Sequence, residues 1–519
     1  MKDPLPVLDT QIKQIQVLSC SHSSLFGWLV SSMLAKALRH TNTQICHSIV
    51  YQSKSEAASG YKANNPQGLT LSADLLLTLT KLGLSESTLR AHASANYHLA
   101  DEFINWHQDR RKTLVSIAPT GGNFEGVKFL HYWARARLID CDIGEFEDFS
   151  FNNRCVRLNR FTHPIGDPRS VLSTLEYGLS VYSKELHSLL REAALTLGVN
   201  EDFTAEKLLD SHRNKTKADV IFDCRASMPT ANRQNTQAYA LAMSHSVIIK
   251  TPIGLQRDSQ GQSDLVTQYC AVDDGYIVSR RVGSNYHNKI VFNAEKSDMK
   301  RLSTHLSSML DISSKDLYNH IKHKAEPLGQ SCSPFWYTDE KTTQMITLSQ
   351  SGLFNLMSDG GLSFAVQTID EWLKRMPRKI DNELLMRHFN QSIQAYFDSA
   401  FDLNMLKFYA ALKVDTPFWQ ALNKLNLSNN IRHFVALFQQ TGVFPSYEFY
   451  PQELDYYQNL LIGLGHCPEQ VDPISLTMPE STLLTRLDQL SNQLTNTAKG
   501  LPKHSPPQAH ANKEVLLTH

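Results

Sequence analysis

The sequence has no excess of charge, since 51 lysines and arginines balance 51 aspartates and glutamates over 519 residues. It has no apolar run of membrane-spanning length, and its first residues, MKDPLPVLDTQIKQ, lack the apolar segment of a signal peptide. The eight cysteines are scattered, with no close pair at metal-ligand spacing, and the 21 histidines form no HExxH-type pair. These absences argue against nucleic-acid, membrane and metal partners, and they predict a cytoplasmic protein.

Glycine is also scarce where a dinucleotide-binding fold would need it. Residues 15–40, IQVLSCSHSSLFGWLVSSMLAKALRH, have the pattern of a strand, a turn and an amphipathic helix. A phosphate-binding turn needs glycines for a tight bend, for approach of the pyrophosphate and for close packing of helix on strand. Only Gly27 is present. The segment is either an altered dinucleotide site or a plain strand-turn-helix packing unit, and we favour the packing unit.

The remaining pattern alternates strands and helices. The predicted elements are, in chain order, a strand over 43–50, helices over 71–83, 87–106 and 175–199, and an antiparallel sheet over 245–295. After about residue 350 the pattern is mostly helical, and the polar segment from 497 predicts disorder. This order predicts the α/β class with a helical C-terminal part.

Several segments together resemble the flavin-dependent tryptophan halogenases, a branch of the flavin monooxygenase fold. The matching pieces are FGWLVSSMLAKAL, LLLTLTKLGLSESTLRAHASANYHLADEFINW, FLHYWARAR, YGLSVYSKELHSLLREAALTLGV, ADVIFDC, GLFNLMSDGGLSFAVQTIDEWLKRMP, DTPFWQAL and LLIGLGHCPEQVDP. The resemblance implies a Rossmann-like fold with a β-sheet substrate region. It also implies an altered FAD-binding domain over 1–380 with the sheet as an insert, a helical substrate-side region over 381–496 and a disordered tail over 497–519.

The resemblance places the family's flavin turn on His22, Ser24 and Gly27. Side chains at the first two positions would crowd a pyrophosphate. The acidic residue that ends the second strand and holds the ribose corresponds to Ser48, which carries no charge. These replacements predict that FAD, the cofactor that the resemblance implies, binds weakly or not at all.

The family's essential lysine, which holds or forms an electrophilic halogen species, corresponds to His98. A histidine can hydrogen-bond an oxidant, but it does not supply an amine or a fixed cation. We therefore expect His98 to be either an altered catalytic residue or, as the simpler interpretation, a histidine on a buried helix face.

A second family signature, Glu-Ser-Thr-Gly at a helix start, corresponds to residues 358–361, where Ser358 replaces the glutamate. In the family this helix start serves flavin and halide, which suits the free N–H groups of a helix N-terminus. Gly361 and Leu362 are the candidate cofactor contacts there, and Ser349 replaces a flavin-contacting aspartate upstream.

The third family signature, WxWxIP, corresponds to the line DDGYIVSRRVGS, with Arg280 and Arg281 at the isoleucine and proline positions. Two adjacent guanidinium groups could bind a carboxylate or phosphate. The alternative is a pair of arginines in surface salt bridges.

Replacement at four separated positions predicts a non-catalytic or weakly active homologue that binds a small aromatic molecule or a partner protein. The alternative is an active flavin-dependent oxidoreductase or halogenase with altered cofactor binding and substrate. Only the alternative requires bound FAD and a flavin reductase as a partner.

Overall fold

The computed structural model describes residues 12–20, 24–51, 67–106, 112–139, 142–205, 218–225, 238–239, 243–252, 254–255, 263–328, 331–338, 343–348, 356–376, 383–409, 416–423, 429–443 and 454–505. Its strands are β1 Gln14–Cys20, β2 Gln44–Tyr51, β3 Gly68–Leu71, β4 Asn96–His98, β5 Ala100–Ile104, β6 Lys112–Ser116, β7 Gly178–Tyr182, β8 Asn200–Ala205, β9 Val220–Asp223, β10 Ala238–Tyr239, β11 His245–Thr251, β12 Val266–Val272, β13 Gly275–Val282, β14 Asn285–Phe292, β15 Glu326–Pro327, β16 Ser331–Cys332, β17 Phe335–Thr338 and β18 Gln344–Thr347.

The helices of the same ranges are α1 Ser24–Leu38, α2 Ala73–Lys81, α3 Glu86–His92, α4 Phe129–Ile139, α5 Phe151–Leu158, α6 Ser183–Thr196, α7 Met299–Leu310, α8 Ser314–Lys324, α9 Leu362–Lys374, α10 Glu383–Tyr409, α11 Pro417–Asn423, α12 Asn429–Thr441, α13 Leu454–Gly463 and α14 Glu480–Gly500. This alternation of strands and helices confirms the predicted α/β class. Within these ranges, no helix is long and apolar enough to cross a lipid bilayer.

The first compact unit, unit 1, comprises residues 1–95, 181–241 and 328–398. Its sheet has the strand order β17-β18-β9-β1-β2-β8, and all neighbours except β17 and β18 pair in parallel. Helix α1 packs on β1, β2, α6 and α9. The predicted first strand therefore lies in the middle of a mostly parallel sheet, and the predicted helix packs on it.

The second compact unit, unit 2, comprises residues 96–180, 242–327 and 399–519. Its main sheet has the order β15-β11-β14-β13-β12-β5-β6, and β11 to β14 pair antiparallel, which confirms the sheet predicted over 245–295. One sheet face is apolar, where Ile277 and Ile290 pack with Leu302, Leu306 and Ile321 of α7 and α8. Each unit is assembled from segments that are distant in the sequence.

Two predicted helices were too long. The helix predicted over 87–106 ends with α3, because Ser94 has a φ of 51° and the chain continues as β4 and β5. The helix predicted over 175–199 begins only at Ser183, since the preceding residues form β7. In both places the segment is almost entirely buried as a strand, and a strand buried on both faces shows no alternation that would distinguish it from a buried helix.

The predicted disordered tail also begins too early. Helix α14 continues to Gly500, and Lys503 forms an antiparallel bridge with Arg160. The backbone N–H of His504 donates to the carbonyl of Asn159. These contacts order residues 497–505, and the rest of the predicted tail lies outside the described residues.

Gly27 is required by packing inside unit 1. A Cβ atom at this position would lie 2.8 Å from Cε1 of His47 and 2.9 Å from Cβ of Ser19. The His47 ring is held there by Ser19 Oγ at 2.7 Å from Nε2 and Ser31 Oγ at 3.1 Å from Nδ1, and it packs on Trp28 with ring centroids 3.8 Å apart. Burial, together with the charges of two nearby basic residues, lowers the pKa of His47 to about 3, so its ring is neutral at physiological pH.

We predict that Gly27→Ala destabilises the protein by about 1–3 kcal/mol, because the added methyl group has no space beside the His47 ring. The control is Gly166→Ala, where a Cβ atom meets nothing within 4 Å. Chemical denaturation of both variants measures the effect. Equal free energies of unfolding for the two variants would contradict the prediction, because they would show that α1 can move away from β2 without loss of stability.

Candidate functional site

His98 lies in unit 2 at the end of a short strand. β4 pairs antiparallel with β7, with His98 opposite Gly178, and the following residue, Leu99, donates its backbone N–H to the carbonyl of Leu265. The His98 side chain is 4% exposed. The residue is therefore buried, but on a strand and not on the helix face that the sequence indicated.

Two buried side chains converge on the carboxylate of Asp101, which lies on β5. His98 Nε2 is 3.1 Å from Oδ1 of Asp101, and the hydroxyl of Tyr456, on α13, donates to Oδ2 at 2.7 Å. Both carboxylate oxygens therefore have a partner. We name these three residues the acid–base cluster.

The environment favours the ionised form of Asp101. Burial by itself raises the pKa of Asp101, but the hydrogen bond and charge of His98, the charge of Lys407 and the hydrogen bond of Tyr456 lower it overall. Burial, with the neighbouring Asp101 charge, raises the pKa of Tyr456 well above its usual value. At neutral pH the cluster therefore contains a carboxylate and a protonated phenol.

A lysine amine lies beside the acid–base cluster. Nζ of Lys407, on α10, is 5.0 Å from the ring centroid of Tyr269 and 5.8 Å from that of Tyr456. The Lys407 side chain is buried, and its backbone carbonyl accepts a hydrogen bond from Nε1 of Trp106 at 2.5 Å.

Sequence reasoning identified His98 but missed Asp101, Tyr456 and Lys407. The available signal for Asp101 and Lys407 was a charged residue within a mainly apolar segment, as in YHLADEFI and LNMLKFY. A charge in a segment that must be buried needs a partner, although the sequence does not say which one.

The start of α9 in unit 1 is occupied by a side chain of the protein itself. The carboxylate of Asp359 accepts the backbone N–H of Gly361 at 2.9 Å and that of Ser363 at 2.8 Å, and it is buried. Leu362, the first helical residue, is fully buried. Two of the N–H groups at this helix start, those of Gly361 and Ser363, are therefore engaged by an internal carboxylate.

Ser358 precedes this helix start and is half-buried, with its carbonyl accepting the backbone N–H of Thr70 at 2.8 Å. It belongs to unit 1, whereas His98 belongs to unit 2. Gly360 and Gly361 both have positive φ values, 65° and 84°, which favour glycine at these positions. Ser349 lies outside the described residues.

Ser48 does not end the second strand, as its proposed ribose-binding role would require. β2 continues to Tyr51, and the fully buried Ser48 hydroxyl accepts a hydrogen bond from Nε2 of Gln16 at 2.9 Å. Ser24 begins α1, but residues 21–23 and the Ser24 side chain lie outside the described part of the turn.

Arg280 and Arg281 do not form one site, because successive residues of a strand point to opposite faces. Arg281 donates to Asp264 at 2.6 Å, and the Tyr286 hydroxyl donates to the same carboxylate oxygen at 2.8 Å. Arg281 is thus a salt-bridge partner, whereas Arg280 lies on the face that also carries Tyr276. Among the described residues, no group of His, Cys, Asp and Glu side chains is arranged to hold a metal ion.

Comparison with known proteins agrees with this fold. The tryptophan halogenase family profile matches residues 26–480. The chain is 20% identical over 469 residues to tryptophan 6-halogenase ThaL of Streptomyces albogriseolus, covering 83% of each protein. It is 26% identical over 504 residues to tryptophan 7-halogenase RebH of Lentzea aerocolonigenes, covering 88% of this chain and 91% of RebH.

Solved structures give the same assignment of the fold. Xcc4156, a flavin-dependent halogenase from Xanthomonas campestris, matches with a TM-score of 0.74 at 17% identity, covering 95% of this chain and 97% of that one. BrvH, a flavin-dependent halogenase from Brevundimonas sp. BAL3, matches with a TM-score of 0.73 at 15% identity, covering 95% and 98%. Because the family profile matches residues 26–480, most of the chain, the protein belongs to the tryptophan halogenase family.

Proposed function

We propose that this chain is a non-catalytic or weakly active tryptophan halogenase homologue that binds a small aromatic molecule. The observation that carries the proposal is the contact between His98 and Asp101 at the position where the resemblance places the family's lysine. In place of the lysine amine that the resemblance implies, this chain has the His98 imidazole, which is already paired with the Asp101 carboxylate.

This replacement changes the chemistry that the position can perform. In the role that the resemblance implies, a lysine amine holds or forms an electrophilic halogen species. An imidazole beside a carboxylate is suited to proton transfer, and any positive charge on it is balanced by Asp101. Loss of halogenation is the simplest consequence.

The residues that the resemblance places at the FAD site also fit that cofactor poorly. Members of this family are flavin-dependent, yet His22 and Ser24 stand where glycines should admit a pyrophosphate. At the start of α9, the Asp359 carboxylate accepts two N–H groups, in the region that the resemblance assigns to flavin and halide. Both features support weak or absent FAD binding.

An aromatic ligand is supported by the relatives and by the surroundings of the acid–base cluster. The relatives ThaL and RebH are tryptophan halogenases by name. Next to the cluster, Phe103 stacks on Tyr269 with ring centroids 4.9 Å apart, and Trp106 meets Tyr276 edge-on at 5.5 Å. Such side chains favour a ligand with an aromatic ring.

We predict that the purified protein carries little FAD, because side chains and an internal carboxylate occupy the positions that should face the cofactor. The visible absorbance spectrum measures bound flavin, and titration calorimetry measures the affinity for added FAD. BrvH, a flavin-dependent halogenase, prepared in the same way is the positive control. Stoichiometric flavin, or a dissociation constant in the low micromolar range, would contradict the prediction.

We predict further that tryptophan halogenation is undetectable, even with FAD and a flavin reductase supplied. The assay is mass spectrometry of tryptophan and a small panel of indoles after incubation with chloride or bromide. The expected result is the substrate mass alone, because the cluster offers no amine at the position of His98. A halogenated product would refute the proposed loss of function.

The second candidate function is an active enzyme with altered chemistry, and the buried amine of Lys407 favours it. If a halogenated product forms, the variants Lys407→Met and His98→Ala identify the side chain that its formation requires. Lys499→Met, on the exposed end of α14, is the control. Loss of product only in Lys407→Met would make that amine the working group. Loss only in His98→Ala would give that role to the imidazole.

A further inference from the structure

A short segment that follows α14 folds back onto the end of α5, within unit 2. The backbone N–H of His504 donates to the carbonyl of Asn159 at 2.8 Å, and the backbone N–H of Phe161 donates to the carbonyl of Pro502 at 3.4 Å. These two bonds run in opposite directions, so each of the two segments both donates and accepts. We name residues 501–504 the strap.

The strap has one buried side chain. His504 is 8% exposed, whereas the other strap residues are half-buried or exposed. The His504 ring meets the ring of Tyr97 edge-on, with centroids 5.9 Å apart, and that of Phe161 at 6.5 Å. An attachment that depends on one buried ring and a few hydrogen bonds can open without unfolding the rest of unit 2.

The rings that receive His504 also hold the strand that carries His98. Tyr97 stacks on Phe161 with ring centroids 3.6 Å apart. Tyr97 is the middle residue of β4, and the side chains of successive strand residues point to opposite faces. Tyr97 therefore holds one face of β4, while His98 on the other face meets Asp101.

β4 is short, so backbone pairing alone holds it weakly. It has three residues, and within the described residues β7 is its one strand partner. A strand with so few paired groups needs side-chain packing to keep its place. The packing of Tyr97 on Phe161, which the strap covers, thus decides how firmly His98 is placed.

We propose that the strap is a releasable brace of the His98 strand. When it is seated, it fixes β4 and the contact of His98 with Asp101. When it is released, β4 can move and the stacked rings of Tyr97 and Phe161 become exposed. The inference goes beyond the proposed function, because it concerns the order of β4 and does not depend on whether FAD or an aromatic molecule binds.

Hydrogen–deuterium exchange of the full chain, followed by mass spectrometry of its peptides, tests the proposal. His504→Ala is expected to raise the exchange rates of residues 96–99 and 159–161 by at least about tenfold, because the strap no longer seats. Exchange in β13 and β14 should not change. Lys503→Ala, at the exposed neighbour within the strap, is the control and should behave as the wild type does. Unchanged exchange at 96–99, or an equal rise in β13 and β14, would overturn the proposal.

If His504→Ala does not fold, exchange of the wild-type protein decides. The N–H groups of Phe161 and His504 lie on opposite sides of the contact between the strap and the end of α5, so release of the strap exposes both together. Peptides that contain them are expected to show equal protection, lower than that of β13. Unequal protection, or protection as high as that of β13, would overturn the proposal, because the strap would then open only with the rest of unit 2.

Discussion

The buried carboxylate of Asp101 constrains much of unit 2, because an ionised group taken out of water is tolerated only where partners surround it. Its partners come from separate elements: His98 from β4 and Tyr456 from α13, with the Lys407 charge from α10 nearby. These elements must therefore keep one arrangement around β5. Removing one partner of such a buried pair typically destabilises a protein by about 3–5 kcal/mol. A group held this firmly is poorly suited to exchange its partners for a reactive halogen species.

The same principle recurs in unit 1. The carboxylate of Asp359 engages the N-terminal N–H groups of α9, and the neutral ring of His47 bridges β1 and α1 through Ser19 and Ser31. In each place a buried polar group of the chain has its hydrogen-bond partners within unit 1. Under the proposed function, these internal contacts let the fold persist without a bound cofactor.

The parts of the fold that follow from local periodicity could be predicted, as α1 and the sheet over 245–295 illustrate. β4 and β7 were missed because their buried runs fit a helix equally well, and only pairing with distant strands decides between them. The acid–base cluster could not be predicted as a whole, since Asp101 and Tyr456 are far apart in sequence. The separation of Arg280 from Arg281, by contrast, follows from strand alternation alone and was available from the sequence.

The most direct test of the buried pairing between His98 and Asp101 is a double-mutant cycle of His98→Ala and Asp101→Ala. The free energy of unfolding of each variant is measured by chemical denaturation. A hydrogen bond to a buried charge predicts a coupling energy of about 1.5–3 kcal/mol between the two positions. His92→Ala combined with Asp101→Ala is the control, and it should be additive because His92 is exposed. A coupling energy within about 0.5 kcal/mol of zero would mean that His98 and Asp101 act independently, and it would contradict the account.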